Sequence, residues 1–178
     1  MFYIALLRGL NVGGHTIKME RLRQLFVEMG FTNVRSYIQS GNIFFESERT
    51  DQAALTQSIE LHLGQALGYE VPVFLRTLPE FERLLTLDPF KHLTVTPEMR
   101  LCILFTQEQI PTTLALPLFS PKKDMEIIQV TEREAFVIWH LKNGRPPAAL
   151  GFKALSGKTT TRFFHTAAKI LLAAKAAQ

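Results

Sequence analysis

Residues 2–7, FYIALL, form an unbroken apolar run that stops at Arg8. Gly9, Asn11, Gly13 and Gly14 then crowd into the next six positions. A short apolar run bounded by turn residues reads as a buried strand. The glycines allow the chain after it positive φ angles that other residues avoid. A buried strand must be flanked by others, and the rest of the chain can be read for them.

After the glycine turn, Met19, Leu22, Leu25, Phe26 and Met29 recur at helical spacing, and Gly30 stands where a helix-ending glycine belongs. NVRSYI (33–38) and NIFFES (42–47) read as a hairpin around Ser40-Gly41. Asp51 is positioned to cap a second helix, with Leu55, Ile59, Leu63 and Ala66 on its inner face and Gly68 at its end. VPVFLR (71–76) completes the order β-α-β-β-α-β, the split βαβ or ferredoxin-like arrangement. A short helix, PEFERLLTL, follows, then turn residues at Asp88-Pro89 and Thr96-Pro97.

The second half predicts a strand at 100–106 and a second hairpin, MEIIQV (125–130) with EAFVIWHL (134–141). Pro111, Pro117 and Pro121 keep any helix between them short. A final helix is expected from about Thr161 to Ala177. The second half thus reads β-α-β-β-α, a degenerate copy of the first that lacks the last strand. The expected fold is α+β, with two ferredoxin-like (βαββαβ) halves, residues 1–77 and 78–178, packed into one unit.

Composition narrows the setting. No apolar stretch reaches the ~18 residues a membrane span needs. The N-terminus carries no basic region or cleavage site of a secretory signal. Cys102, the single cysteine, lies in the apolar run RLCILF and reads as a small core residue. Together these predict a cytoplasmic protein with no membrane contact. The five histidines are scattered, so no metal site is expected. Asp124 and Glu126 are expected to face solvent.

Charge is unevenly spread. Residues 1–134 hold 13 Lys/Arg and all 16 acids, whereas residues 135–178 hold 7 Lys/Arg and no acid. The second segment is either a solvated basic face or a surface that meets an anion.

Two segments approach the Walker A pattern, G-x-x-x-x-G-K-[ST]. GLNVGGHT (9–16) has His15 in place of the lysine that reaches the phosphates. GFKALSGKT (151–159) has one residue too many. Neither is a P-loop, but glycine turns and helix N-termini still offer backbone donors to an anion. RNA recognition is a separate reading. FYIALL and SGNIFFE faintly resemble the aromatic strand motifs of RNA-recognition domains, although Asn42 stands where a stacking ring is wanted. The plainer reading has Phe44 and Phe45 alternating between core and surface.

RGLNVGG after the opening strand, YIQSGN at the hairpin and TTR at a late helix start together resemble the bacterial "domain of unknown function 1697" family, over essentially the whole chain. The resemblance implies two ferredoxin-like halves and no known activity. Arg8, Gly9, Asn11, Gly13, Gly14, Gln39, Ser40, Gly41 and Asn42 match its N-terminal motifs. Lys18 matches a basic position before the first helix, and Thr160, Thr161 and Arg162 match its C-terminal motif. Where the family continues with Asn and Trp, this chain has Phe163 and Phe164.

In the expected topology the first strand lies antiparallel beside the third, so Arg8 comes close to Gly41 and Asn42. Three functional readings follow. The first is a small anionic ligand, phosphorylated or nucleotide-like. Arg8 would pair with it, and Gly9, Asn11, Gly13, Gly14 and Lys18 would surround it. Gln39, Ser40 and Asn42 would orient it, with Lys158, Thr161 and Arg162 contributing from the second half. The second is nucleic-acid binding through the basic residues 142–175. The third gives the motifs a purely structural role. Catalytic residues and cofactors are not specified by the sequence.

Overall fold

The run Phe2–Leu7 is strand β1, and it is an interior strand. In the computed structural model, which describes residues 1–11, 13–38, 41–111, 113–147, 152, 154–155 and 157–178, β1 is followed by helix α1 (Met19–Glu28), β2 (Thr32–Tyr37), β3 (Asn42–Glu46), α2 (Gln52–Leu67), β4 (Val73–Thr77) and α3 (Leu78–Leu87). Then come β5 (Met99–Thr106), β6 (Leu118–Phe119), β7 (Met125–Val130), β8 (Glu134–His140), β9 (Thr159–Phe163) and α4 (Phe164–Ala176). The architecture is α+β, with two antiparallel sheets and, among the described residues, four helices. The chain divides into two units, Met1–Thr86 with Lys169–Gln178, and Leu87–Ala168.

In the first unit the strand order is β2-β3-β1-β4. β1 runs antiparallel to β3, with Leu6 opposite Asn42, and antiparallel to β4, with Leu7 opposite Val73. Alternation along β1 sends Tyr3, Ala5 and Leu7 to one face. There they meet Ile43, Phe45, Val73 and Leu75, together with Leu22, Leu25 and Phe26 of α1 and Leu55, Ile59 and Leu63 of α2. The opposite face, with Ile4, Leu6, Phe44 and Phe74, is buried as well. Burial on both faces is why FYIALL shows no polar alternation.

Local signals end the helices as their chemistry requires. The Asp51 carboxylate accepts from the Ala54 N–H at 3.0 Å and caps α2. Gly68, at φ +79°, closes the same helix. α3 starts on a reciprocal pair: Thr77 N–H donates to Glu80 Oε2 at 2.7 Å, and Glu80 N–H donates to Thr77 Oγ1 at 3.3 Å. Asn33 Nδ2 donates to the Ala177 carbonyl at 2.7 Å, which ties the chain's last residues to β2.

In the second unit the order is β6-β7-β8-β5-β9. Cys102 and Leu104 of β5 share a buried cluster with Met125, Ile127, Ala135, Val137, Ile110 and Phe152.

Several expectations are corrected. Thr159–Phe163 is an edge strand, not the start of the last helix, which begins at Phe164. Three successive threonines are stiff at χ1 and favour extended backbone. A strand is therefore present between β8 and α4, where none was expected. Among the described residues of 111–123 the regular element is the two-residue strand β6 rather than a helix. Ala66 is exposed, and only Leu55, Ile59 and Leu63 of the expected inner face of α2 are buried. Phe44 and Phe45 do not alternate between core and surface, since both are buried. Asp124 is buried too, and its carboxylate accepts from Ser120 Oγ at 2.7 Å. Among the described residues, no helix is long and apolar enough to cross a membrane.

Burial pushes the Cys102 thiol up to about 12, against a smaller opposing pull from Arg100. Cys102 should therefore resist a thiol reagent such as DTNB at pH 8 in the folded protein and react fully in denaturant. The folded thiol titrates above its unfolded value, so its contribution to stability is present below pH 9 and is lost between pH 9 and about 12. Urea melts across that range should show the decline, and Cys102→Ala should reduce it.

Candidate functional site

The end of β1 is where the first unit's polar motifs meet. Leu7 N–H donates to the Gly41 carbonyl at 2.7 Å, and Arg8 N–H donates to the Pro72 carbonyl at 3.0 Å. The chain therefore leaves β1 between two neighbours, the β2–β3 turn and the segment before β4. The expectation that RGLNVGG abuts the hairpin turn is met in this geometry. Gln39 and Ser40 lie outside the described residues.

The described residues between Gly9 and Lys18 are held by side-chain contacts from within the loop and from Tyr69. Asn11 Oδ1 accepts from the Ile17 N–H at 3.0 Å, across six residues. The Tyr69 hydroxyl donates to the Leu10 carbonyl at 3.2 Å. The His15 ring stacks on Tyr69 with centroids 3.9 Å apart. Leu10 and Ile17 are buried in the helix-side core and anchor both arms of the loop. Gly13 and Gly14, at φ +62° and +87°, form the exposed tip. Arg8, Asn11, His15 and Lys18 are exposed around it.

Lys18 is the N-cap residue of α1, and its side chain makes no capping hydrogen bond. The carboxylate of Glu20 in the first turn is held below its ordinary pKa, chiefly by its own backbone N–H and then by Arg23 and Lys18. The start of α1 is thus already an environment that favours negative charge.

Asn42 differs from the other motif residues. It is fully buried, and its amide donates to the Tyr37 carbonyl at 3.1 Å, which closes the β2–β3 turn from inside. Gly41, at φ +72°, lies so close to β1 that a Cβ there would come within 2.9 Å of Leu10 Cδ1 and 3.1 Å of Leu7 Cβ.

Lys158, Thr161 and Arg162 belong to the second unit. Thr161 and Arg162 lie on β9, opposite Leu104 and Ile103 of β5. They are therefore not the helix-start anion site that the sequence suggested. One Arg162 nitrogen donates to Thr160 Oγ1 and to the Thr161 carbonyl, each at 3.0 Å. Burial lowers this guanidinium to about 10, so it stays charged at neutral pH. Gly157 carries the carboxylate of Glu108 against it, 2.8 Å from where a Cβ would stand. The glycine of SGKT thus already faces the carboxylate of Glu108, an exposed residue.

The RNA-type aromatic surface of the first sheet is not available, because Phe2, Tyr3, Phe44 and Phe45 are all buried. His62 lies 3.6 Å from Glu28 and His140 lies 3.5 Å from Glu126. Among the described residues, no group of three His, Cys, Asp or Glu side chains could hold a metal ion. Tyr69 and Pro72 were not singled out in the sequence, where nothing marks a tyrosine that will pack on a loop nearly sixty residues earlier.

Residues 1–136 match the family model described as "Protein of unknown function (DUF1697)". The chain belongs to this family. The match takes in Arg8–Gly14 and Gly41–Asn42 and ends before β9. No curated protein matches the sequence. Among solved structures, the conserved bacterial protein SP0830 from Streptococcus pneumoniae is similar, with a TM-score of 0.70, 24% identity and 98% of each chain covered. This likeness shows the fold.

Two stability predictions follow. Gly41→Ala should cost about 2–4 kcal/mol, through a strained φ and a backbone-adjacent clash, whereas Gly13→Ala at the open tip should cost only about 1 kcal/mol. Urea melts of the two variants check the order. Asn42→Ala should cost about 1–3 kcal/mol by leaving the half-buried Tyr37 carbonyl short of a donor, and amide exchange in the β2–β3 turn should accelerate.

Proposed function

We propose that the first unit binds a small anionic ligand, phosphorylated or nucleotide-like, at the turn between β1 and α1. One observation carries this reading. The contacts made by Asn11, Tyr69 and His15 fasten both arms of the turn, while Gly13 and Gly14 stay at its exposed tip. A preorganised glycine turn costs little ordering when its N–H groups converge on an anion. Exposed Arg8 and Lys18 flank it and supply the charge. In this reading Asn42 supports the turn from beneath, and the ligand is met by Arg8, Lys18 and the loop backbone. The strand order β2-β3-β1-β4, with α1 and α2 on one face, supports a ferredoxin-like origin for this unit. By extension we propose that the second sheet is its diverged counterpart.

Thermal melts with a panel of nucleotides and sugar phosphates test the proposal. A true ligand at about 100 times its Kd should raise Tm by roughly 5–10 °C. Arg8→Ala should abolish that shift, and Arg8→Lys should keep part of it. If no anion shifts Tm, or if Arg8→Ala binds as the wild type does, the turn serves the fold alone.

A further inference from the structure

The second unit brings together four cations that the sequence separates. Lys122 and Lys123 lie in the turn between β6 and β7, and Lys142 and Arg145 lie in the turn that leaves β8. Lys142 Nζ donates to the Lys122 carbonyl at 3.0 Å, so the two turns touch. Lys142 and Arg145 form a two-way backbone bridge, at 3.1 and 3.0 Å, which fixes the second turn. All four side chains are exposed.

Three acids lie near these turns, Asp124, Glu126 and Glu98. Asp124, the one acid in the first turn, is buried and accepts from Ser120 Oγ at 2.7 Å. Glu126 faces His140 at 3.5 Å. Glu98 lies at the border, where its carbonyl accepts from the Leu141 N–H at 2.7 Å, and Arg100 stands two residues further on. Phe119, on the edge strand β6 just before the first turn, is 48% exposed.

From this juxtaposition we infer that the paired turns at 120–124 and 142–145 form a contact surface for single-stranded nucleic acid. The four cations meet the phosphates, and Phe119 offers a ring to an unstacked base. A duplex would not present such a base. A bilayer would require a broad apolar face, whereas the exposed apolar side chains on this stretch are Leu116 and Phe119. The inference stands apart from the ligand turn of the first unit and uses none of its residues. It also revises the basic surface expected from residues 142–175: Lys122 and Lys123 join it, and Arg162 is withdrawn into β9.

Fluorescence anisotropy of the full chain with labelled oligo(dT) and oligo(U) of about 20 nucleotides tests it. Four phosphate contacts to a single strand predict a log–log salt slope of about −3, or roughly a 50-fold loss of affinity between about 50 and 200 mM salt. The combined variant Lys122→Ala, Lys123→Ala, Lys142→Ala, Arg145→Ala should lose at least about 30-fold at low salt and flatten the slope. Phe119→Ala should lose roughly 5-fold or more. Removing two exposed lysines elsewhere, Lys91→Ala with Lys169→Ala, should cost less than about 3-fold, and Arg8→Ala should change nothing. Absence of binding at about 50 mM salt overturns the inference. So does a four-site variant that binds as well as the wild type. Equal loss with the Lys91, Lys169 control would reveal nonspecific attraction and overturn it too. So would binding to phosphatidylserine vesicles, lost in the four-site variant, without binding to either oligonucleotide.

Discussion

β1 is hydrogen-bonded along both edges and buried on both faces, and the first unit is organised around that enclosure. A six-residue strand of Phe, Tyr, Ile, Ala and Leu removes a large apolar area from water, so its place in the sheet is set by burial rather than by any polar contact. Its two neighbours are fixed by the same constraint. Because β3 and β4 both run against it, the end of β1 must emerge beside the start of each. The convergence of the Gly9–Lys18 loop, Gly41 and the Tyr69–Pro72 segment is therefore a consequence of strand order. No sequence motif is required to explain why they meet.

That origin separates two roles among residues that the motifs present as equals. Asn42 and Gly41 are needed to build the convergence, one as a buried donor to Tyr37 and the other as a residue with no room for a Cβ. Asn11 shapes the loop through the Ile17 N–H. Arg8 and Lys18 are exposed at the same place and add charge. Burying an amide costs free energy unless it is bonded, and the Asn42 amide lies inside the sheet with the Tyr37 carbonyl in reach. An exposed guanidinium carries no such requirement, because water solvates it.

Sequence reasoning succeeded where a single local pattern decides the backbone. Leu22, Leu25 and Phe26 gave the buried stripe of α1, Asp51 its capping role, and Gly68 the left-handed end of α2. It failed where two local meanings compete. Threonine at 159–161 can cap a helix or line a strand, and pairing with β5 chose the strand. Asp124 could face water or close a turn, and the Ser120 hydroxyl drew it inward. Phe44 was read for a sheet with one wet face, but this sheet has two buried ones. The His15–Tyr69 stack has no sequence signal at all, because it joins residues that only the fold brings within 3.9 Å.

The charge count shows the same limit from another side. Seven cations and no acids in residues 135–178 suggest a continuous basic face. Folding divides them. Arg162 enters a strand and donates to Thr160 and Thr161, and the loss of hydration there lowers its pKa. Gly157 meets the carboxylate of Glu108, an acid from outside that segment. Lys142 and Arg145 stay in water and gain Lys122 and Lys123 from a stretch whose formal balance is negative. An approaching polyanion responds to that exposed set within about a Debye length, roughly 10 Å at 0.1 M salt, and not to the sum over a segment. The useful quantity is therefore the charge that two turns hold at one place, and tertiary structure determines it.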